Sequence, residues 1–113
     1  MKTVAQNRRA RYDYDIVDTI EAGIALSGQE VKSCRMGNVN LGGAYVSLIS
    51  GKPMLKGMKI AKYRHASGLE DYEPGHDRVL LLKKREVEKL TSKLSEQGVS
   101  LVPLEVKAGK FIK

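Results

Sequence analysis

Hydrophobic and polar residues alternate early in the chain, in the segment YDYDI (residues 12–16). A period of two predicts a strand with one solvated face. The run IEAGIAL (20–26) predicts a second strand, with a bend between the two strands at residues 18–22. The preceding segment, 1–11, carries four cations and no acid. Because a charged terminus has little to bury, we expect it to be a basic, solvated N-terminal arm.

The segment SGQEVKSCRMG (27–37) changes to a helical period. Ser27 and Glu30 have the S-x-x-E spacing of a capping box, in which each side chain accepts a hydrogen bond from the backbone N–H of the other residue. Val31 and Cys34 then share one face, and Gly37 suits the left-handed position after a helix end. These signals predict a short helix between strands, with Cys34 in the core.

Several short apolar runs follow, and most of them predict strands. We expect AYVSLI (44–49) and PMLKGMKIA (53–61) to form a hairpin joined by SGK, residues 63–77 to form a long exposed loop, and RVLLL (78–82) to form a buried strand. VSLVPLEV (99–106) contains a proline and should be an edge or bulged strand. AGKFIK (108–113) should be a final turn that begins another strand.

The clearest helical pattern lies late in the chain, in KKREVEKLTSKLSEQG (83–98). Val87, Leu90 and Leu94 form its apolar stripe, and Gly98 is expected to end it. Many short strands with two accessory helices predict one domain, 1–113, that is mainly β. The favoured architecture is an oligonucleotide-binding (OB) fold, a closed antiparallel barrel, because closure removes exposed strand edges.

The chain is strongly basic. Its 20 Lys and Arg residues exceed 13 Asp and Glu residues, for a net charge of +7. That excess favours a polyanionic partner, either nucleic acid or an anionic membrane surface. No apolar run has the length of a membrane span or the form of a signal peptide, and a single cysteine forms no intrachain disulfide. We therefore expect a monomeric, cytoplasmic protein that does not contact membranes.

Catalytic and metal-binding patterns are weak. His65 and His76 lie in the predicted loop without the spacing of metal ligands, and Asp13 and Asp15 are more typical of an exposed strand face than of a carboxylate pair. The chain has no glycine-rich phosphate loop and no nucleophile elbow. We expect no enzyme activity, no metal and no cofactor. A small hydrolase that uses the histidine-containing loop is the alternative from another class.

Two basic clusters carry the stronger signal. They comprise Arg8, Arg9 and Arg11 in the first, and Lys83, Lys84 and Arg85 in the second. Such side chains bind phosphates and position a nucleic acid, while contributing little base specificity. The second cluster stands at a predicted helix start, where positive charge is slightly unfavourable to the helix dipole. A local cost of this kind is typical of a binding site, and structured RNA is the favoured ligand.

An ordered set of motifs resembles the transfer-messenger-RNA-binding protein family (small protein B, SsrA-binding protein). The motifs are NRRARYDY, EAGIALSGQEVKS, GNVNL, IAKYRH, RVLLLKKRE and GVSLVPL, in the family's order from about Asn7 onward. The resemblance implies an OB barrel that binds the tRNA-like domain of transfer-messenger RNA and delivers it to stalled ribosomes for trans-translation. It implies a non-catalytic protein without a metal. The alternative is a generic OB module for structured RNA, such as a ribosomal or initiation-factor-like protein.

The resemblance also implies RNA-binding residues. Asn7, Glu21 and Leu81 match the family's important positions, and Lys32 and Asn38 are weaker candidates. Because a carboxylate repels phosphate, Glu21 would contact base N–H groups or a 2′-hydroxyl, or orient a neighbouring arginine. Its alternative role is that of an acid in a strand bend. For Leu81 the alternative is a core position.

The chain departs from the family pattern in three places. RVLLLKKRE lacks a lysine before the leucines and has Lys83 in place of a histidine, and VNLGGAYV has two glycines where larger polar residues are usual. The resemblance also implies a further strand and a basic C-terminal tail, whereas this chain stops at Lys113. We expect RNA binding by this chain, with little or no support of tagging on the ribosome.

Overall fold

The computed structural model describes residues 2–16, 18–48, 51–63, 72–95, 100–109 and 111–113. Within these ranges the fold is mainly β with accessory helices, as the sequence predicts. In chain order the elements are β1 (Lys2–Gln6), α1 (Arg8–Asp13), β2 (Gly23–Ile24), α2 (Gly28–Arg35), β3 (Val39–Asn40), β4 (Tyr45–Ser47), β5 (Met54–Lys56), β6 (Lys59–Ile60), β7 (Arg78–Leu81), α3 (Lys84–Leu94) and β8 (Glu105–Ala108).

The strands pair antiparallel in three sheets. One has the order β2-β7-β5-β4, and the other two are the pairs β1-β8 and β3-β6. No closed barrel is found among the described residues, so the OB fold stays a prediction. Strands of two to five residues are too short to continue from one sheet into the next. Glycine turns interrupt them, as at Gly57, which has φ +82 and whose Cβ would lie 3.2 Å from the Gly43 carbonyl oxygen.

The N-terminal segment is not a solvated arm, because β1 pairs with β8 from Lys2↔Ala108 to Gln6↔Glu105. The strand predicted at residues 12–16 is also wrong. Asn7 caps α1, so the chain is already helical as far as Asp13. Tyr12 is 90% exposed. The alternating pattern therefore reflects a solvated segment rather than a strand with a buried face.

The helix predicted from the capping box is confirmed. The Ser27 hydroxyl accepts from the Glu30 N–H at 3.2 Å, and the Glu30 carboxylate accepts from the Ser27 N–H at 3.0 Å. Cys34 is fully buried, and burial raises the pKa of its thiol to about 11, so it stays protonated in the core. Gly37 adopts φ +80 after the helix end, as predicted.

The later predictions are confirmed in part. β4 and β5 form the expected hairpin, and the turn before the last residues brings Ala108 opposite Ile112. Pro103 precedes β8 rather than interrupting it. α3 ends at Leu94, with Ser95 as its C-cap, so the predicted end at Gly98 is wrong. Gly98 itself and most of the predicted loop, residues 64–71, lie outside the described residues. The strand β7 is present but only half buried.

The hydrophobic core lies between α2 and the sheets. Its most buried members come from α2, from loops and from strands of all three sheets, so no single sheet forms the core alone. They are Cys34, Leu41, Leu55, Met58, Ile60 and Val106. In the part of the chain that the structure describes, no helix combines the length and apolarity that crossing a membrane requires.

Candidate RNA-binding surface

A buried ion pair, Glu30 with Arg78, connects α2 to β7. Arg78 Nε and Nη2 donate to Glu30 Oε2 at 2.9 and 2.7 Å, and the Arg78 side chain is fully buried. The guanidinium also donates to the carbonyl oxygens of Met58, Pro74 and His76. Because a buried charge without partners is costly, this full set of acceptors fixes the relative positions of four chain segments.

Two further side chains complete this network. The Tyr72 hydroxyl lies 3.2 Å from Glu30 Oε2, and His76 Nε2 lies 2.9 Å from the same oxygen. Burial raises the pKa of the Glu30 carboxyl, but the Ser27 N–H, Arg78 and His76 lower it more, so the net pKa is about 2. The carboxylate is therefore ionised at neutral pH, and its contacts hold the structure together.

The network bears on the hydrolase alternative. His76 Nδ1 contacts the Asp77 carbonyl oxygen at 2.9 Å while Nε2 contacts Glu30, so both ring nitrogens face partners within the protein. A catalytic base needs a free nitrogen within reach of substrate. His65 lies outside the described residues. No group of three or more metal-ligating side chains occurs within the described ranges.

The structure brings Glu21 and Leu81 to one surface. β2 and β7 pair Gly23 with Leu81, and the missing side chain of Gly23 allows this approach, because a Cβ there would lie 3.2 Å from Leu81 Cβ. Glu21 lies two residues before this pair. Leu81 is 58% exposed, so the core position considered for it is wrong.

Glu21 is paired at this surface with Lys113. The Lys113 ammonium lies 2.8 Å from Glu21 Oε1, and its hydrogen bond and charge lower the pKa of the Glu21 carboxyl. The backbone of Lys113 exchanges two hydrogen bonds with Lys107, at 2.8 and 3.0 Å. One of the roles that the resemblance predicts for Glu21 is to orient a neighbouring arginine. The structure shows that Glu21 does orient a cation, but the cation is Lys113.

Sequence reasoning missed three neighbours of this pair. Arg35, Phe111 and Lys113 line one cavity together with Gly23 and Leu81. Phe111 is 64% exposed although it is the chain's only phenylalanine. An exposed aromatic next to lysines was the available signal, but these residues come from separate elements, and periodicity does not show that they meet.

Asn7 has a structural role in the free protein. Its Oδ1 accepts from the Ala10 N–H at 3.2 Å, its Nδ2 donates to the Pro103 carbonyl oxygen at 3.0 Å, and its backbone N–H donates to Leu104. The side chain is almost completely buried. These bonds hold α1 against the segment before β8, and an RNA contact by Asn7 stays a prediction.

The first basic cluster lies on α1. Arg8 and Arg9 are exposed, and Arg9 pairs with Asp13 at 3.1 Å across one helical turn. Arg11 pairs with Glu105 of β8 at 2.9 Å. Both pairs are exposed to solvent and are therefore worth little, so phosphate can displace the carboxylates.

The second basic cluster begins α3. Lys83, Lys84 and Arg85 are exposed, and the Lys83 N–H donates to Glu86 Oε1 at 2.8 Å. No hydrogen bond or ion pair joins this cluster to α1 within the described ranges. The two clusters therefore lie on separate elements, α1 beside β8 and α3 after β7.

The two weaker candidates lie on and after α2. Lys32 is exposed and its ammonium stands 5.5 Å from the centre of the Tyr63 ring, a cation–π contact. Asn38 is exposed, and its backbone pairs with Ser33 and Ala61. Roles for both in RNA binding stay predictions.

Comparison with known proteins identifies relatives. The SsrA-binding protein of Roseiflexus sp. (strain RS-1) is 45% identical over 105 residues, 93% of this chain and 66% of that protein. That of Chlorobaculum tepidum is 47% identical over 103 residues, 91% of this chain and 65% of that protein. The chain thus spans just under two thirds of the length of these curated relatives.

A solved structure supports the same relationship. A chain of this structure, described as "tmRNA-SmpB: a journey to the center of the bacterial ribosome", superimposes on the present chain with a TM-score of 0.77 and is 38% identical to it. The match covers 99% of this chain and 78% of the other. The model of the SmpB protein family matches residues 4–113. Because that match includes nearly every residue, the chain belongs to the SmpB protein family.

Proposed function

We propose that this chain binds the tRNA-like domain of transfer-messenger RNA and serves its delivery to stalled ribosomes in trans-translation. The names of its relatives, SsrA-binding proteins, and the ribosome context of the similar structure support this proposal. The observation that carries it is the convergence of Glu21 and Leu81, distant in sequence, on one surface with Lys113 and Arg35. The ribosome context of the similar structure also supports a cytoplasmic location as part of this proposal.

In this function the protein binds RNA and does no chemistry. The cations of α1 and of the start of α3 contact phosphates and set the position of the RNA. Apolar side chains exposed beside them contact bases. The proposal extends to the fold, since β1 lies against β3 and so joins two of the three sheets. That contact supports an OB-type arrangement of the strands.

A gel-shift titration tests the function. The tRNA-like domain and an unrelated hairpin of equal length are titrated with the chain at one fixed salt concentration, because affinities for RNA depend steeply on salt. We expect clear preference for the tRNA-like domain. Equal affinities would refute the proposal and support the generic OB module instead.

A further inference from the structure

A small cavity opens beside the pair Glu21–Lys113. Its volume is about 280 Å³, and β2, α2 and the last residues of the chain surround it. Ile24 and Val31, both partly buried, lie at its inner side and pack against the core. Leu81 and Phe111 line it and are 58% and 64% exposed. The cavity is therefore apolar and open to solvent.

Two cations line the same cavity, Arg35 from α2 and Lys113 from the last residues. Lys113 is held in two ways: its backbone pairs with Lys107, and its ammonium donates to Glu21. The Glu21–Lys113 pair is open to solvent, since the two side chains are 57% and 38% exposed. Because an ammonium has three N–H donors, a phosphate can bind the Lys113 ammonium while one donor stays with Glu21.

An apolar cavity with cations beside it suits a particular ligand. Bases that leave their stack bury flat apolar faces against protein side chains while their phosphates meet cations. A volume of about 280 Å³ lies just below the range of drug-sized pockets, about 300–1,000 Å³. It therefore favours one base over a stack of several. An apolar peptide segment would offer no negative charge to these two cations.

We propose that this cavity holds one unstacked nucleobase of the bound RNA, between Leu81 and Phe111, with Arg35 and Lys113 contacting the flanking phosphates. This inference rests on the proposed function, and it assigns roles within the surface. Glu21 is then a positioning residue that fixes Lys113 and does not contact the RNA. Gly23 leaves the space in which Leu81 packs against β2.

Tryptophan fluorescence tests the base pocket directly, because the chain contains no tryptophan. Phe111→Trp places a single reporter at the cavity. Tyr45→Trp is the matched control: Tyr45 is 52% exposed on β4, at the opposite edge of the four-stranded sheet from β2. On saturation with the tRNA-like domain, we expect quenching in the Phe111→Trp variant and an unchanged signal in the control.

Affinity measurements separate base from phosphate contacts. The Phe111→Ala variant loses stacking on one base, so its affinity for the RNA should fall about 5- to 150-fold. The salt dependence of binding should not change. Lys113→Met should instead lower the slope of log affinity against log salt by about 0.7–0.9, one phosphate contact. Equal urea midpoints for the variants and the parent chain would exclude unfolding as the cause.

Two failures are distinguishable. Preferential binding of the tRNA-like domain without quenching in the Phe111→Trp variant would overturn the base pocket and leave the proposed function intact. Quenching of equal size in both tryptophan variants would also overturn it, since the signal would not be local. Equal affinity for the unrelated hairpin would refute the proposed function itself.

Discussion

Replacement of Glu30 by alanine should destabilise the protein far more than loss of a helix cap. The substitution removes the reciprocal half of the capping box, worth about 1 kcal/mol or less. It also leaves Arg78, whose side chain is fully buried, without its carboxylate. Breaking a buried ion pair by removing one partner costs about 3–5 kcal/mol.

The expected loss is therefore about 4 kcal/mol in the free energy of unfolding, a large part of the roughly 5–15 kcal/mol typical of a whole domain. At roughly 4 °C per kcal/mol for a chain of this size, Tm should fall by about 15 °C. Urea titration followed by circular dichroism measures the first quantity, and thermal unfolding the second.

The chain provides a matched control at Glu86. This residue occupies the same position in α3 as Glu30 in α2, and its carboxylate accepts from the Lys83 N–H at 2.8 Å. No arginine pairs with Glu86 in the part of the chain that the structure describes. Glu86→Ala should therefore cost about 1 kcal/mol or less.

The difference between the stability losses of Glu30→Ala and Glu86→Ala measures the contribution of the ion pair with Arg78. Losses that agree within about 0.5 kcal/mol would show that Arg78 gains nothing from Glu30, and would refute the reasoning. A double replacement tests it further: Glu30→Leu with Arg78→Met should cost less than the sum of the two single changes, because it leaves no unpaired buried charge.

Further predictions concern pH and RNA affinity. Because the pKa of Glu30 falls from 4.5 to about 2 on folding, its stabilisation is present above pH 4.5 and is lost toward pH 2, by about 3 kcal/mol. In the Glu30→Gln variant, the free energy of unfolding from urea titrations should lose this dependence on pH. Glu21→Gln should weaken RNA binding in the parent chain and have little further effect after Lys113→Met, and additive effects would contradict its positioning role. Gly23→Ala, whose Cβ would meet a side chain at 3.2 Å, should lower stability by about 1 kcal/mol and reduce RNA affinity, whereas Gly28→Ala, with open space around it, should do neither.

Local signals in the sequence predicted α2 correctly. The capping box needs only Ser27 and Glu30, three residues apart, and both of its hydrogen bonds form. Gly37 ends the helix for an equally local reason, its positive φ. The hairpin of β4 and β5 follows from two short apolar runs separated by a turn. These interactions join residues that are close together in the sequence, so the sequence alone is enough to predict them.

Interactions between distant residues were not predictable in the same way. Arg78 begins an apolar run and has the pattern of a strand's polar end, yet it turns inward to a glutamate 48 positions earlier. The resemblance assigns Asn7 to RNA, while its Nδ2 donates to the Pro103 carbonyl oxygen, 96 positions later. The cavity beside Lys113 has the same origin, since three separate parts of the chain form it.

The pairing of β1 with β8 has a consequence for synthesis. Lys2 lies opposite Ala108, so β1 leaves the ribosome about 100 residues before its partner strand is made. Closing so long a loop costs entropy and slows folding, and until then the edge of β1 is unpaired. Of the described strands, β1 is therefore the first to be translated and one of the last to pair. A chain released before β8 is made has β1 still open to intermolecular pairing.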